Sequence, residues 1–291
     1  MQGFFHQAKS ISDQAADTLD HARRLASSVY APGFHAAYKA WQGESFWQFR
    51  PYLPDDPRRD IDWRKTARSE TAIIRQREAQ QAQSLNLWID PNPGMSLIYA
   101  PKRESKIWCA QVLSLALGFL ALRQHDIART IGPDATVARS EQGMIDIATD
   151  FHDLKLSKFE ELDKIPLRTS GIYILAGDFL APLDRIEKMF KALNRPDKKF
   201  LILQYLDPDE LSLPYQGRVL FSDGAQQQSQ QIDHVPDVKD AYQDKIQNHL
   251  DGLKTLCAAQ NFLYLRHLCG DNTLDTLNAA VHLLNEERRQ I

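Results

Sequence analysis

The alternation of apolar and polar stretches divides the chain near residue 83. Beyond that point, short apolar runs of strand length alternate with longer stretches whose apolar residues recur at helical spacing. The strand-like runs are 85–90, 126–131, 171–178, 199–205 and 261–267, with a hairpin at 218–222 and 229–233; the helical stretches are 104–124, 143–156, 182–193, 237–260 and 273–289. Apolar runs without alternation are typical of strands buried on both faces. The pattern therefore predicts an α/β domain over residues 83–291, with a mostly parallel, Rossmann-like sheet covered by helices on both faces.

The first 82 residues are organised differently. Apolar residues at helical spacing predict a helix over residues 8–29. The aromatic-rich run 46–52 suits a strand or an extended arm, and β-branched residues favour an edge strand over 71–77. We therefore predict that residues 1–82 form an N-terminal helix and an extended, charged arm with a small β element, packed on the main domain.

Charge is concentrated in residues 50–69. Ten charged residues, two aromatic residues and three prolines fall within twenty positions, and no helical or strand period organises them. Acidic and basic residues are interleaved, which usually means that they pair with each other and do not form a phosphate-binding patch. We therefore predict an ordered, irregular segment held by ion pairs, with a protein-docking surface as the alternative.

Composition excludes several classes of protein. Apolar residues make up 43% of the 291-residue chain and charged residues 25%, which are ordinary values for a globular protein. A formal net charge of -3, without a basic tail or face, argues against nucleic-acid binding. The three cysteines have no short spacing, so we expect neither a disulfide framework nor a zinc site.

The sequence shows no targeting or membrane segment. The N-terminus lacks the basic and then apolar order of an export signal. The most apolar run, residues 107–122, is short for a membrane span and contains Gln111 and Ser114, so a buried helix fits it better. We therefore expect a cytoplasmic protein that does not insert into a membrane.

The candidate binding site lies at the ends of two predicted strands. Asp90 and Asp178 each end an apolar run, and ligands of open α/β sheets bind beyond the carboxyl ends of the strands. Two carboxylates there, with the amide oxygen of Asn92, suit Mg²⁺, which prefers oxygen ligands. The structural alternative, which we favour, is that the two acids cap turns or helix N-termini.

No catalytic motif accompanies these acids. The nine histidines show no H-E-x-x-H spacing, and the chain has neither a Gly-rich phosphate loop nor a G-x-S-x-G elbow. Since no nucleophile–base pattern is evident, we predict that the protein is not an enzyme.

The charged segment also carries a family resemblance. It contains R-x-Y, then D-x-x-R-x-I-D-W, then A-R, formed by Arg50, Tyr52, Asp56, Arg59, Ile61, Asp62, Trp63, Ala67 and Arg68. This signature resembles that of the bacterial domain-of-unknown-function family fifty-eight, with Asp55 where the family has glycine and Thr66 where it has serine. The resemblance runs from about residue 43 to the C-terminus.

The resemblance implies both a fold and a function. The family is similar to von Willebrand factor A-like domains, in which an Asp-x-Ser-x-Ser loop and an acid on a later strand hold magnesium. Asp90, Asn92 and Gly94 match the loop and Asp178 the later acid, which implies a degenerate metal-ion-dependent adhesion site. Family members are commonly encoded beside MoxR-type AAA+ ATPases and are thought to assist them in maturing or remodelling other proteins. The resemblance therefore implies a chaperone-like partner of such an ATPase and its client, with Mg²⁺ as the one candidate cofactor.

Two functions from different classes follow. In the first, a non-enzymatic protein-interaction adaptor presents the loops around Asp90 and Asp178 to the ATPase or its client. In the second, a magnesium-dependent phosphohydrolase holds the ion with these two acids and the phosphate with Arg59 or Arg68. We favour the adaptor because no nucleophile accompanies the acids. A wide separation of the two carboxylates would exclude the metal-dependent alternative.

Overall fold

A computed structural model of the chain describes residues 18–28, 47–52, 61–69, 71–77, 84–124, 126–167, 169–222 and 229–289. The chain forms two compact units, of which the smaller comprises residues 31–82 and the larger comprises residues 1–30 together with 83–291. Helix α1, residues 18–28, lies in the larger unit. The predicted first domain, 1–82, is therefore divided between the two units. The part of its predicted helix before residue 18 lies outside the described residues.

The described residues of the smaller unit form a two-stranded antiparallel sheet and one helical turn. Strand β1 (Trp47–Pro51) pairs with strand β2 (Ile73–Arg77), so the predicted strand and the predicted edge strand are both present. Helix α2 (Trp63–Thr66) lies between them in sequence. The Ile73 N–H donates to the Thr66 hydroxyl at 2.9 Å, which ties the end of this turn to the start of β2.

The described part of the charged segment is regular where an irregular one was expected. Residues 61–69 form a bridge residue, helix α2 and a turn. Asp62 is buried, and its carboxylate accepts a hydrogen bond from the Arg64 N–H at 3.1 Å. An acceptor at this place satisfies one of the free N–H groups of the first helical turn, as an N-cap does.

The other signature residues are described in part. Tyr52 is half-buried, and its N–H donates to the Ala72 carbonyl at 2.7 Å. Trp63 is 66% exposed, and Arg68 is exposed as well. The segment 53–60 with Asp56 and Arg59, and the side chain of Arg50, lie outside the described residues. The ion-pair network that was expected there stays a prediction.

The larger unit is built on a six-stranded sheet. In chain order the strands of this sheet are β3 (Ser84–Ile89), β4 (Ile127–Thr130), β5 (Val137–Ala138), β6 (Gly171–Gly177), β7 (Lys198–Leu206) and β10 (Leu263–Leu268). Between β7 and β10 in sequence, strands β8 (Val219–Ser222) and β9 (Ser229–Ile232) form a separate hairpin. The sheet order is β10-β7-β6-β3-β4-β5, and every neighbouring pair is parallel except β4 and β5. The predicted mostly parallel sheet is confirmed. The antiparallel edge strand β5 was not predicted, because two residues are too few to carry a pattern.

Helices cover both faces of this sheet. They are α3 (Lys106–Arg123), α4 (Glu141–His152), α5 (Leu183–Leu193), α6 (Pro208–Ser212), α7 (Pro236–Ala259) and α8 (Thr273–Arg289). Helix α3 contacts β3, β4 and β6 and packs beside α4 and α8, whereas α5 and α7 pack together over the other face. All six residues of β3 are buried, as expected for a strand that is covered on both sides.

An aromatic core fills the space between the sheet and helices α5 and α7. Tyr173 of β6 stacks on Phe200 of β7, with ring centroids 5.2 Å apart, and Phe200 lies 4.6 Å from Phe262. Trp88 of β3 extends the same core on this face. Burying each such side chain stabilises the fold by roughly 1.5–3 kcal/mol, so these contacts hold helices α5 and α7 on the sheet.

Helix α3 is the core helix of the larger unit. By length and composition alone it passes as a membrane span, and within the described chain it is the one helix that does. In the fold, 78% of it is buried. Core helices of folded domains share this composition, in agreement with the predicted buried helix.

Candidate functional site

The two strand-end acids lie in one cavity. Because β3 and β6 are adjacent parallel strands, the residues that follow them meet at one edge of the sheet. The Asp90 N–H donates to the Ala176 carbonyl at 2.8 Å, which holds Asp90 beside the end of β6. Asp90, Asn92 and Asp178 all line a cavity of about 280 Å³. The structure therefore brings together the three residues that the sequence analysis singled out.

This strand-end cavity combines an acidic end with apolar walls. Its other lining residues are Pro91, Pro93, Lys158, Phe159, Glu160, Phe179, Ala181 and Ile186. A 3-10 helix (Phe159–Lys164) between α4 and β6 supplies Phe159, whose ring meets that of Phe179 edge to face at 6.0 Å. Apolar walls with a few polar groups are typical of binding sites.

A buried lysine neutralises the acidic end. Lys106 begins helix α3, and its side chain is 1% exposed. Its Nζ lies 3.2 Å from Oδ2 of Asp178 and 2.5 Å from Oε1 of Glu210. Burial lowers the pKa of Lys106, but the charges of Asp178 and Glu210 outweigh burial, so its pKa is raised above the ordinary value. Lys106 is therefore a permanent cation held between two carboxylates.

Glu210 joins this lysine to the end of strand β7. Oε1 of Glu210 also accepts a hydrogen bond from the Tyr99 hydroxyl at 2.8 Å, and its Oε2 accepts one from the Asp207 N–H at 2.8 Å. The Asp207 carboxylate caps helix α6 through the Asp209 N–H and forms an ion pair with Arg103. These bonds connect β7 and α6 with the loop that precedes α3 in one buried polar network, in which each charge has a partner.

Asp90 is not part of this polar network, and burial controls its protonation. Burial, followed by the nearby charge of Asp178, raises the pKa of Asp90 to about 7. Its Oδ1 accepts a hydrogen bond from the Asn92 N–H at 3.1 Å, which favours the charged form and limits the rise. The Asp90 carboxyl is therefore partly protonated at neutral pH.

Asn92 and Gly94 form the turn that follows Asp90. The Asn92 amide oxygen accepts a hydrogen bond from the Gly94 N–H at 3.0 Å and caps a 3-10 helix (Pro93–Ser96). A Cβ placed on Gly94 would lie 3.7 Å from Oδ2 of Asp178. A serine at position 94 would therefore direct its hydroxyl toward the acids, whereas glycine offers no side-chain ligand.

The residues present do not fit the magnesium site that the resemblance implies. The ammonium group of Lys106 already pairs with Asp178, the amide oxygen of Asn92 caps its own turn, and Gly94 contributes no ligand. Across the residues that the structure describes, no group of three or more His, Cys, Asp or Glu side chains is placed to hold a metal ion. In this site a lysine supplies the positive charge.

Lys106, Glu210, Asp207 and Arg103 were not predicted as site residues. One signal was available for Lys106, which follows a serine N-cap and opens the most apolar helix of the chain. A cation in the first turn faces the positive end of the helix dipole, so a buried acidic partner is to be expected there. The partner itself lies far away in sequence and had no comparable signal.

Comparison with known proteins gives one family. The family described as "Protein of unknown function DUF58" matches residues 48–143 and 145–251. None of the curated proteins matches the chain. Among solved structures, the chain is similar to the conserved hypothetical protein BatB from Bacteroides thetaiotaomicron, at 11% identity and a TM-score of 0.36, over 70% of this chain and 100% of that one.

Proposed function

This chain belongs to the DUF58 family of proteins of unknown function, and we propose that it is a non-enzymatic adaptor whose strand-end face binds other proteins. One observation carries the proposal: Lys106 pairs with both Asp178 and Glu210, so the acid that would hold a metal ion is already neutralised. The charges of Lys106, Asp178 and Glu210 are paired internally, and charges paired in this way are better suited to contact with another surface than to activating a water molecule.

The reactive side chains of the described chain support a non-enzymatic role. Cys109, Cys257 and Cys269 are all buried, and burial raises the pKa of Cys257 to about 12. His267 is buried as well, its Nδ1 lies 2.8 Å from the Thr276 hydroxyl, and burial lowers its pKa. Neither Cys257 nor His267 is among the residues that line the strand-end cavity, and the shifted pKa values make Cys257 a poor nucleophile and His267 a poor base.

The loops around the cavity expose apolar side chains. Ile98, between the 3-10 helix and α3, is 68% exposed, and Leu180, between β6 and α5, is 36% exposed. Both loops follow strands of the parallel sheet and so lie at its carboxyl edge. We propose that both side chains belong to the protein-binding surface, because such surfaces combine apolar contacts with a polar rim.

For the partner, we propose a MoxR-type AAA+ ATPase and its client protein, met in the cytoplasm. This part of the proposal rests on the resemblance of the Arg50–Arg68 signature and on membership of the family. The adaptor would help the ATPase to mature or remodel the client. Its net charge of -3 gives no basic surface for nucleic acid, which agrees with a protein partner.

The test is co-purification from the native cell followed by direct binding of the purified ATPase. We expect the tagged protein to recover a MoxR-type ATPase. Ile98→Glu is expected to lower the binding affinity at least about tenfold, because a charge would be buried without a partner. Leu220→Glu on β8 is the matched control, since Leu220 is 66% exposed, and should bind normally. Failure to recover any AAA+ ATPase, or an equal loss in both variants, would contradict the proposal.

The magnesium-dependent phosphohydrolase is supported only by the proximity of Asp90 and Asp178. The two carboxylates lie close together, so their separation does not exclude a shared cation. The pairing of Lys106 with Asp178, however, counts against a bound cation. Arg68 lies in the smaller unit, and Arg59 is outside the described residues. Calorimetry that detects no heat of Mg²⁺ or Mn²⁺ binding at millimolar concentration would eliminate this alternative.

A further inference from the structure

A second cavity, of about 230 Å³, lies on the face of the sheet and shares no lining residue with the strand-end cavity. Asn86 of β3 lies opposite Arg129 of β4 on one side and Tyr173 of β6 on the other. Residues in register on neighbouring strands point to the same face, so these three side chains form the floor. The wall is completed by residues 131–133, 135, 165–167 and 169.

The neutral polar groups of this sheet-face cavity bond to each other. The Thr169 hydroxyl donates to Oδ1 of Asn86 at 3.0 Å, and the Tyr173 hydroxyl donates to the Thr169 carbonyl at 2.6 Å. The amide group of Asn86 donates to the carbonyls of Ser84 and Ile172, both at 3.2 Å. Their hydrogens are therefore already used, and these groups fix the shape of the floor.

Arg129 is the exception in this lining. Of the described residues, it is the one charged residue that lines the cavity, and none of the salt bridges among them pairs it with a carboxylate. Its Nε is buried and has no hydrogen-bond partner among them either. An unpaired buried donor costs free energy, which a suitable acceptor would recover. The planar guanidinium fork matches the paired oxygens of a carboxylate or a phosphate.

We propose that the sheet-face cavity binds the carboxylate or phosphate group of a small molecule and that Arg129 recognises this group. A cavity of about 230 Å³ has room for a small ligand, because one water molecule takes only about 30 Å³ in the liquid. Ile165, Pro166 and Leu167 give one wall an apolar surface that accommodates a short carbon chain. The site is independent of the proposed adaptor function, since it uses another part of the larger unit.

The first test is NMR titration of the ¹⁵N-labelled full chain with inorganic phosphate and, separately, with propionate, at ionic strength held constant by sodium chloride. Saturable shifts of amides around Gly132 and Ile165 are expected, with a Kd on the order of 1 mM. A tighter response to phosphate assigns the site to phosphorylated ligands, and a tighter response to propionate assigns it to carboxylates. The absence of saturable shifts with both anions overturns the proposal.

The second test uses variants of two arginines. Arg129→Gln keeps a polar side chain without the charge, and we expect it to weaken binding at least about tenfold. Arg139→Gln is the matched control, because Arg139 is exposed and does not line the cavity. Arg129→Lys keeps the charge without the fork and should show an intermediate loss. Equal affinity in Arg129→Gln and Arg139→Gln overturns the assignment. If Arg129→Gln does not fold, Arg129→Lys against Arg139→Lys decides in the same way.

Discussion

Near the strand ends, burial affects the charges of Lys106 and Asp90 in opposite ways. Lys106 keeps its charge because the carboxylates of Asp178 and Glu210 lie against its Nζ. Among the described residues no cation forms an ion pair with Asp90, and burial and the charge of Asp178 raise its pKa to about 7. One side of the strand-end cavity therefore carries a fixed charge, and the other carries a charge that changes near neutral pH.

At Lys106, removal of the charge is expected to destabilise the protein. Lys106→Met keeps most of the side-chain volume but leaves Asp178 and Glu210 buried without a cation. Breaking a buried ion pair in this way costs about 3–5 kcal/mol. Urea unfolding measures the change in the free energy of unfolding. Lys158→Met, an exposed lysine that lines the same cavity, is the control and should change it by no more than about 0.5 kcal/mol. Equal stabilities of the two variants would count against the ion-pair role.

At Asp90, substitution is expected to change how stability depends on pH. The pKa of the folded carboxyl is about 7 and its ordinary value is 3.8, so between these values the folded chain binds more protons than the unfolded chain. Stability therefore falls as pH rises through this window. Asp90→Asn stays neutral and should be more stable than the wild type by about 4 kcal/mol near pH 8, and by close to none near pH 4.

Urea unfolding at several pH values checks the Asp90 prediction. Asp134→Asn is the control, because Asp134 is an exposed acid outside the strand-end cavity. Its difference from the wild type should be small at every pH. A constant difference between Asp90→Asn and the wild type from about pH 4 to pH 8 would contradict the raised pKa.

At the scale of elements, the start of helix α3 positions Lys106, and the start of strand β6 sets its close pairing with β3. Helix α3 begins at Lys106, directly after the Ser105 N-cap, whose hydroxyl accepts from the Trp108 N–H at 3.3 Å. Strand β6 begins at Gly171, which has φ of +137°. A Cβ there would lie 2.2 Å from the carbonyl oxygen of Ser84 on β3. Glycine thus allows β3 and β6 to approach closely where their pairing begins.

Gly171→Ala is therefore expected to weaken the β3–β6 pairing. The variant combines backbone strain with a steric clash, and we expect it to destabilise the protein by about 3 kcal/mol or more. Gly217→Ala is the control for strain alone, because Gly217 has φ of +66° and a Cβ added to it would meet no atom within 4 Å. Its expected cost is about 1 kcal/mol. Thermal unfolding compares the two, and equal losses would mean that the close approach to Ser84 is unimportant.

Most elements could be predicted because their signals are local. The continuous apolar runs of α3 and β3 each extend over several residues, and their predicted bounds lie within about two residues of those observed. The turn α2, the strand β5 and the helix α6 have two to five residues each. Elements this short are stabilised by their neighbours in space and carry no period of their own.

At the scale of the whole molecule, the larger unit offers two separate cavities. The strand-end cavity lies where parallel strands finish, which is the usual binding edge of such sheets. The sheet-face cavity lies between the β3–β4–β6 floor and residues 165–167 and 169. A ligand in the second cavity and a protein on the first surface would therefore not compete for the same residues.

The sequence alone determined the α/β class, the family signature and the meeting of Asp90 with Asp178, since strand-end positions follow from local patterns once the strands are parallel. Only the tertiary structure determined which charged side chains of the site are paired. Lys106 lies 72 residues before Asp178 and 104 before Glu210, and Arg129 lines the sheet-face cavity with no acidic partner among the described residues. Packing alone decides which buried charges are paired over such separations, because a charge buried by the fold is stable only with a partner that the same fold brings to it.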